Sequence, residues 1–253
     1  MADTPDPRLF ASQPALTGGD LTPARPLSRS LLILLTCGTV GGLLYTAIYL
    51  IEGAIRPDYD AWQQTISAFS LGPGGWVQQV DFVFFGLVTI ALAFIWRQIL
   101  KGGVGATWYP IMRGLEGLAL IGAGFFSVDP APGYPKGAIL TSTLHGTIHT
   151  MCALVVITSI AIGYFVLARR FAQEPRWGRG WAVYSIISGL LTLFLFAIFL
   201  NEPGSAIAGL IERLATSGVS RPFDVIVLVR VWLGVGFTSP GLSHGVLRKE
   251  KGI

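Results

Sequence analysis

The stretch LLILLTCGTVGGLLYTAIYLI, residues 31–51, decides the fold. Its 21 residues carry no charge, and about 20 mostly apolar residues are enough to cross a bilayer as a helix. The hydrocarbon core offers backbone N–H and C=O groups no hydrogen-bond partners, so an α-helix is the conformation expected there. The stretch is also too long, and begins too far along the chain, for a cleavable signal peptide. It therefore predicts a first membrane-spanning helix that is retained.

Five further apolar stretches follow it. They cover residues 80–100, 108–128, 144–168, 181–201 and 224–242. The last is the weakest, because Arg230 lies inside it and Pro240 lies near its end. The predicted fold class is an all-α, polytopic transmembrane helix bundle of six spans. The bundle takes residues 30–243, between a disordered cytoplasmic tail at 1–29 and a short cytoplasmic tail at 244–253.

The composition of the 253 residues excludes the other broad classes of protein. Charged residues make up 13% of the chain, about half of the roughly 25% that is usual in soluble domains. Mean hydropathy is +0.61. A soluble domain this apolar would expose large hydrophobic patches, and a disordered chain would need low hydrophobicity.

The positions of the basic residues predict the orientation, because cytoplasmic loops are enriched in Lys and Arg. With the N-terminus inside, four of the 18 basic residues lie outside and Arg230 lies within the membrane. The 13 on the inner side are Arg8, Arg25, Arg29, Arg97, Lys101, Arg113, Arg169, Arg170, Arg176, Arg179, Arg248, Lys249 and Lys251. We therefore expect a plasma-membrane protein with both termini cytoplasmic. The charge serves orientation and headgroup contact, so the predicted partner is the lipid bilayer and not nucleic acid.

The first outer loop carries an amphipathic pattern. Trp62, Ile66 and Phe69 fall at i, i+4 and i+7, which places them on one helical face. The pattern predicts a short helix that lies in the membrane interface. A lid over a site is the alternative, and anchoring is the favoured interpretation.

The last outer loop also carries an amphipathic pattern. Its apolar residues Ile207, Leu210, Ile211 and Leu214 recur at i, i+3, i+4 and i+7. The pattern predicts a second interfacial helix, with Glu212 and Arg213 pointing away from the apolar stripe.

Two histidines one helical turn apart stand at the outer end of the fourth span. His145 and His149 share one face, and such a pair can hold a divalent metal if a third ligand joins it. Asp129 is the third ligand we predict, and Glu52 or Glu202 could replace it. The favoured alternative is that both imidazoles bond neighbouring helices or headgroups. No other cofactor is indicated.

Ordered acidic residues concentrate on the outer side, and so does the candidate site. We expect a polar cluster there, which could take a lipid or small-molecule ligand. Its members are Glu52, Arg56, Tyr59, Ser67, Asp129, His145, His149, Glu202, Glu212 and Arg213.

Two charged residues lie within the predicted spans. Glu116 stands one turn from Arg113, which favours an ordinary i, i+3 ion pair over a proton-relay carboxylate. Arg230 could reach the outer interface, pair with Glu116 or line a polar cavity. Ionisable groups inside a membrane are functional candidates by default.

Several segments together carry a family resemblance. RPDYDAWQQTISAFSLGPGGWVQQVDFVFFGL (56–87), FFSVDP (125–130), LHGTIHTMCAL (144–154) and GLIERL (209–214) resemble a bacterial and archaeal membrane-protein family. It is catalogued as a domain of unknown function, number nine hundred and ninety-eight. The resemblance spans about residues 30–215 and implies six helices but no reaction. The outer-side positions it matches are Pro57, Tyr59, Ser67, Gly75, Trp76, Asp129, His145, His149, Glu212 and Arg213. The end of the chain, from Arg230 onward, departs from the family pattern.

Three functions compete on this evidence. The leading prediction is a non-catalytic membrane module with a functional extracytoplasmic face, since no strong catalytic motif is present. The first alternative is a metal-assisted hydrolase of a lipid or small ester that uses His145 and His149, with Ser67 or Glu202 assisting. The second is a small transporter with Glu116 and Arg230 as buried charges on its pathway.

Overall fold

The computed structural model describes residues 28–174 and 179–233, and this part of the chain is helical without strands. Seven α-helices follow one another. They are α1 (Arg29–Ile55), α2 (Gly75–Ile99), α3 (Trp108–Phe125), α4 (Leu144–Gln173), α5 (Arg179–Asn201), α6 (Ala208–Arg213) and α7 (Val219–Trp232). A 3-10 helix at Ile66–Ser70 precedes α2, and a π-helical turn at Leu214–Gly218 joins α6 to α7. The predicted all-α class is confirmed.

Local sequence signals set where the helices begin. The Ser28 hydroxyl accepts the Leu31 N–H at 3.3 Å and so caps α1. Thr143 caps α4 in the same way, through the Gly146 N–H at 3.0 Å. Gly74 precedes α2 with a φ of 84°, a conformation that glycine adopts without strain.

Four helices are long and apolar enough to cross a membrane, namely α1, α2, α4 and α5. The described part of the chain is therefore a multi-pass membrane bundle. Helix α3 has only 18 residues and carries the Arg113–Glu116 ion pair. Helix α7 is shorter still, with 14 residues. Crossings by these two helices remain predictions.

The helices pack in chain order, each against the next from α1 to α5, and α7 returns to α1. The tightest approach is between α2 and α3, where Gly86 and Gly117 meet. A Cβ atom on either one would lie 2.6 Å from the carbonyl oxygen of the other. Small residues permit such backbone contact in lipid, so these two glycines allow α2 and α3 to approach closely.

The outward surface of these helices is as apolar as the core. Phe94, Leu118, Ile187 and Phe194 are exposed, while the interior holds equally apolar side chains such as Leu167. A helix that is hydrophobic all round is typical of a membrane span.

The first outer loop differs from its prediction. Instead of an interfacial amphipathic helix it forms a five-residue 3-10 helix, Ile66–Ser70, whose residues are all buried. Trp62 alone of the predicted stripe is exposed. The segment folds inward because Arg56 and Glu212 bond its backbone and His149 bonds the Ser67 hydroxyl. The sequence pattern does not reveal these contacts.

The last outer loop also needs correction. Helix α6 forms where the second interfacial helix was predicted, but it continues through the π-helical turn into α7. Glu212 and Arg213 face the protein instead of water, because both bond the first outer loop. Helix α7 begins at Val219, before the predicted 224.

The predicted tails and the end of the sixth span fall on residues 1–27 and 234–253, which lie outside the described residues. Ser28 and Arg29, assigned to the tail, are the cap and the first residue of α1.

Candidate functional site

The end of the bundle that the charge distribution predicts to be extracytoplasmic is closed by residues 60–71, which we call the plug. Its central part is the buried 3-10 helix. A buried irregular segment needs partners for its backbone polar groups. Here those partners are mostly side chains that the sequence placed in the outer-face cluster.

Arg213 of α6 supplies the largest share of these bonds. Its Nη1 donates to the carbonyl oxygens of Ala61 and Gln64, each at 2.9 Å, and of Gly209 at 2.8 Å. Its Nη2 donates to the Tyr59 hydroxyl. One guanidinium thus fixes the start of the plug to α6.

Tyr59 completes this contact. Its hydroxyl lies 3.0 Å from the Gln64 carbonyl oxygen and 2.8 Å from that of Thr65. Burial raises the pKa of Tyr59 above its usual value, so the hydroxyl stays protonated and donates to these carbonyls. The ring stacks on Phe69 with 3.9 Å between centroids.

Arg56, at the end of α1, holds the other end of the plug. Its Nη1 donates to the carbonyl oxygens of Phe69 at 2.7 Å and Leu71 at 2.9 Å. Its Nη2 pairs with Glu52 at 2.9 Å. Two arginines from distant parts of the chain therefore fix the two ends of one loop.

Helix α6 also contacts the plug through its first turn. The Gly209 and Leu210 N–H groups donate to the carbonyls of Gln63 and Trp62, at 3.1 and 3.0 Å. In the other direction, the Ile66 N–H donates to Glu212 Oε2 at 2.6 Å. Gly209 is needed here, since a Cβ atom would lie 2.1 Å from the Gln64 oxygen.

Ser67 and His149 meet beneath the plug. Ser67 Oγ lies 2.8 Å from His149 Nε2. His149 Nδ1 lies 2.7 Å from the Phe126 carbonyl oxygen and 3.2 Å from that of Ala123. Carbonyl oxygens only accept, so in the neutral ring Nδ1 carries the proton and Nε2 accepts from the serine.

A cavity of about 60 Å³ lies under this pair. At roughly 10–15 Å³ for each water, it has room for a few water-sized groups. Most of its wall is apolar. The polar residues on the wall are Ser67, Glu116, His149, Glu212, Thr216, Ser217, Ser220 and Arg221.

Three members of the predicted cluster neither line this cavity nor bond the plug. Asp129 accepts from the Thr143 N–H at 3.0 Å and hydroxyl at 2.6 Å, and these bonds lower its pKa below the usual value. His145 is exposed and its ring contacts Phe126. Glu202 is exposed in the turn after α5.

The two histidines do not converge. Both ring nitrogens of His149 already face protein oxygen atoms. Within residues 28–174 and 179–233 no group of three His, Cys, Asp or Glu side chains could hold a metal. The predicted trio of Asp129, His145 and His149 is therefore not brought together as a metal cluster.

The charged residues of the predicted third and sixth spans have local partners. Arg113 Nη1 lies 2.7 Å from Glu116 Oε2, which is the ordinary interpretation that the spacing favoured. Arg230 lies over the Trp181 ring, 5.3 Å from its centroid. Glu116 therefore has Arg113 as its partner.

Sequence reasoning missed part of the cavity wall. Ser217, Ser220 and Arg221 face the cavity from the start of α7 and the turn before it, and Arg221 lies 3.4 Å from Asp224. Polar residues at one-turn spacing beside a predicted span were the available signal. They were assigned to the outer loop instead.

Fold and site together define a class: a multi-pass helical membrane protein with a plugged, mostly apolar cavity that carries a few polar groups. Comparison with known families then places it. A family model described as "Protein of unknown function (DUF998)" matches residues 39–221. The chain belongs to this family, which confirms the resemblance found in the sequence. No curated protein matches the chain. No solved structure matches it either.

Proposed function

We propose that this chain is a plasma-membrane protein that binds the polar end of a small molecule or lipid in the cavity beneath the plug, without transforming it. The proposal includes a topology in which the chain crosses the membrane six times with its N-terminus in the cytoplasm. The charge distribution supports this orientation, with 13 basic residues inside and four outside. It puts the plug, at residues 60–71, on the outer side.

The cavity is the observation that carries the proposal. Its wall brings a carboxylate, Glu212, and a guanidinium, Arg221, together with a serine–histidine pair inside an apolar bundle. Ionisable groups are rare inside membranes and mark binding sites or pathways. A mostly apolar pocket with a few convergent polar groups is the usual form of a ligand site. The small volume suits the end group of a ligand, such as an amine or a carboxylate.

The plug makes this site pre-formed. Arg56 and Arg213 bond the carbonyls at its two ends, and these hydrogen bonds hold the roof of the cavity in place. Binding to a rigid site avoids the entropy cost of ordering a loop. A non-catalytic binding module fits this arrangement.

The test uses protein purified in mild detergent and extracts of the membrane that contained it. A ligand that binds only the folded state raises the melting temperature, Tm. We expect an active extract to raise the Tm of the wild type and of His145→Ala, whose side chain is exposed outside the cavity. The same extract should not raise the Tm of Ser67→Ala or Glu212→Gln. Equal shifts in all four proteins would refute the proposal.

A second candidate function, an acyl-transfer enzyme, is favoured by one observation. Ser67 Oγ lies 2.8 Å from a histidine nitrogen whose opposite N–H is held by a backbone carbonyl. In that arrangement the serine oxygen would attack an acyl carbon while its proton moves to His149 Nε2. The bond between the acyl carbon and its leaving group would then break as His149 passes the proton to that group, and water or an acceptor hydroxyl would later take the acyl group from Ser67. Such a mechanism needs no metal, unlike the hydrolase predicted from the histidine spacing.

A fluorophosphonate probe separates the two functions. It phosphonylates a serine, with loss of fluoride, when a neighbouring base activates the hydroxyl. Covalent labelling of the wild type at Ser67, lost in both Ser67→Ala and His149→Ala, would favour the enzyme. No labelling, alongside Tm shifts with extract, would favour the binding module.

A further inference from the structure

The interface between α1 and α2 buries three polar side chains that do not line the cavity. Gln78 is 0% exposed, Asp81 2% and Glu52 8%. Five of their atoms have no hydrogen-bond partner in the described part of the chain. These are Gln78 Oε1 and Nε2, Asp81 Oδ1 and Oδ2, and Glu52 Oε2. Buried polar atoms almost always have a partner, which can be an ion or a water.

Helix geometry brings the three residues to one level. Gln78 and Asp81 are three apart on α2, so they share one face. Tyr45 of α1 stacks on Phe85 of α2 with 4.5 Å between ring centroids. The helices run in opposite directions with the same 1.5 Å rise per residue. Glu52 lies seven residues after Tyr45, and Gln78 lies seven residues before Phe85. The two side chains therefore lie at the same height in the bundle, with Asp81 less than one turn from Gln78.

The charges in this interface do not balance. Glu52 is paired with Arg56 at 2.9 Å. Among the described residues, no basic side chain pairs with Asp81. An uncompensated charge away from water is strongly destabilising. One positive charge would balance the group.

The atoms that lack partners also suit a cation. Four of the five are oxygens, from two carboxylates and one amide, and oxygen atoms are the ligands of hard cations. A divalent ion would leave the group with one excess positive charge, and no group of three acidic or histidine ligands is present among the described residues. A monovalent cation would leave no excess charge.

We propose that Asp81, Gln78 and Glu52 bind one sodium ion between α1 and α2. The Asp81 carboxylate supplies the charge, and the Gln78 amide oxygen and Glu52 Oε2 complete the contact. The ion would hold the outer halves of the two helices together. It is independent of any ligand in the cavity, because none of the three residues lines that cavity.

The experiment measures Tm of the detergent-purified chain at constant ionic strength, with sodium chloride replacing choline chloride. The wild type should gain about 3 °C in a saturable way, since the ion binds only the folded state. Equilibrium dialysis with radioactive sodium should give about one ion per chain. Asp81→Asn should lose both responses. Gln78→Leu should keep the response but need a several-fold higher sodium concentration.

Asp58→Asn is the matched control. Asp58 is exposed in the loop after α1, with a φ of 59° that asparagine also tolerates, so it should respond as the wild type does. Equal shifts with potassium chloride, an unchanged response in Asp81→Asn, or the absence of any sodium response would overturn the proposal. A Tm that depends on pH but not on sodium would also overturn it, in favour of a protonated Asp81. Dialysis of the wild type decides the matter even if the variants do not fold.

Discussion

The Ser67 hydroxyl and the His149 imidazole are joined by a 2.8 Å hydrogen bond across 82 positions of sequence. This bond ties the plug to α4 at the level of the cavity. Both side chains are buried, so the Ser67 hydroxyl and His149 Nε2 satisfy each other's hydrogen bonding away from water. The pair is therefore the point where the fold of the outer loop and the proposed binding site coincide.

The first prediction concerns this pair. His149→Ala should destabilise the bundle by about 1–3 kcal/mol, because it leaves the buried Ser67 hydroxyl and two carbonyls without their partner. His145→Ala removes an exposed imidazole from the same helix and should change stability by less than about 0.5 kcal/mol. Thermal unfolding in detergent compares the two. Equal losses would contradict the assigned roles.

The second prediction concerns the plug. Arg213→Ala should release the start of residues 60–71, because three carbonyls and the Tyr59 hydroxyl lose their donor. We expect new cleavage in this segment when intact cells are treated with proteinase K. Lys136→Ala, which removes an exposed basic residue from another outer loop, should leave the segment protected. A protected plug in Arg213→Ala would show that the guanidinium is dispensable.

The third prediction tests the contact between α2 and α3. Gly86→Ala places a methyl group 2.6 Å from the Gly117 oxygen, and overpacking of this kind costs about 1–3 kcal/mol. Gly114→Ala meets nothing within 4 Å. It should be neutral or stabilise the helix by about 0.5–1 kcal/mol. Unfolding of the two variants under identical conditions checks the sign of each effect.

The fourth prediction is a pH dependence. Hydrogen bonds from Thr143 lower the pKa of Asp129 in the folded state. A lowered pKa makes the contribution of Asp129 to stability complete above its unfolded value, about 3.9, and removes it as pH falls through the folded value. The Tm difference between wild type and Asp129→Asn should therefore be constant from pH 7 to about 5 and shrink below pH 4. A difference that grows in acid would have the wrong sign.

The fifth prediction concerns topology. The test uses a variant in which Cys37 and Cys152 are replaced. In this background Lys136→Cys should react with a membrane-impermeant maleimide on intact cells. Cysteines at Lys101 and Lys251 should react only after permeabilisation. Labelling of Lys251→Cys on intact cells would contradict the predicted sixth crossing but not the other five.

The helices could be predicted from sequence because apolar length is a local property. The run at residues 31–51 lies within α1, and the runs at 144–168 and 181–201 lie within α4 and α5 almost end to end. The plug could not be predicted in this way. Trp62, Ile66 and Phe69 have the spacing of a surface helix. The contacts that turn the segment inward come from α6, Arg56 and His149, which are distant in sequence.

The candidate site was predicted only in part, because its members come together through contacts between distant parts of the chain. Arg56, Tyr59, Ser67, His149, Glu212 and Arg213 do gather at the plug and the cavity. His145 shares its helical face with His149 but falls outside, because burial changes over a single turn at the end of α4. Gln78 and Asp81 were missed because the unmet polar atoms that single them out are visible only in three dimensions.

Native mass spectrometry of the detergent-purified chain tests the central claim most directly. Wild type and Glu202→Gln, which alters an exposed carboxylate outside the cavity, should carry the same non-covalent ligand mass. Glu212→Gln, an isosteric change in the cavity wall, should lose most of it. Equal ligand occupancy in all three proteins, or a bare chain in all three, would contradict the assignment of the cavity as a binding site.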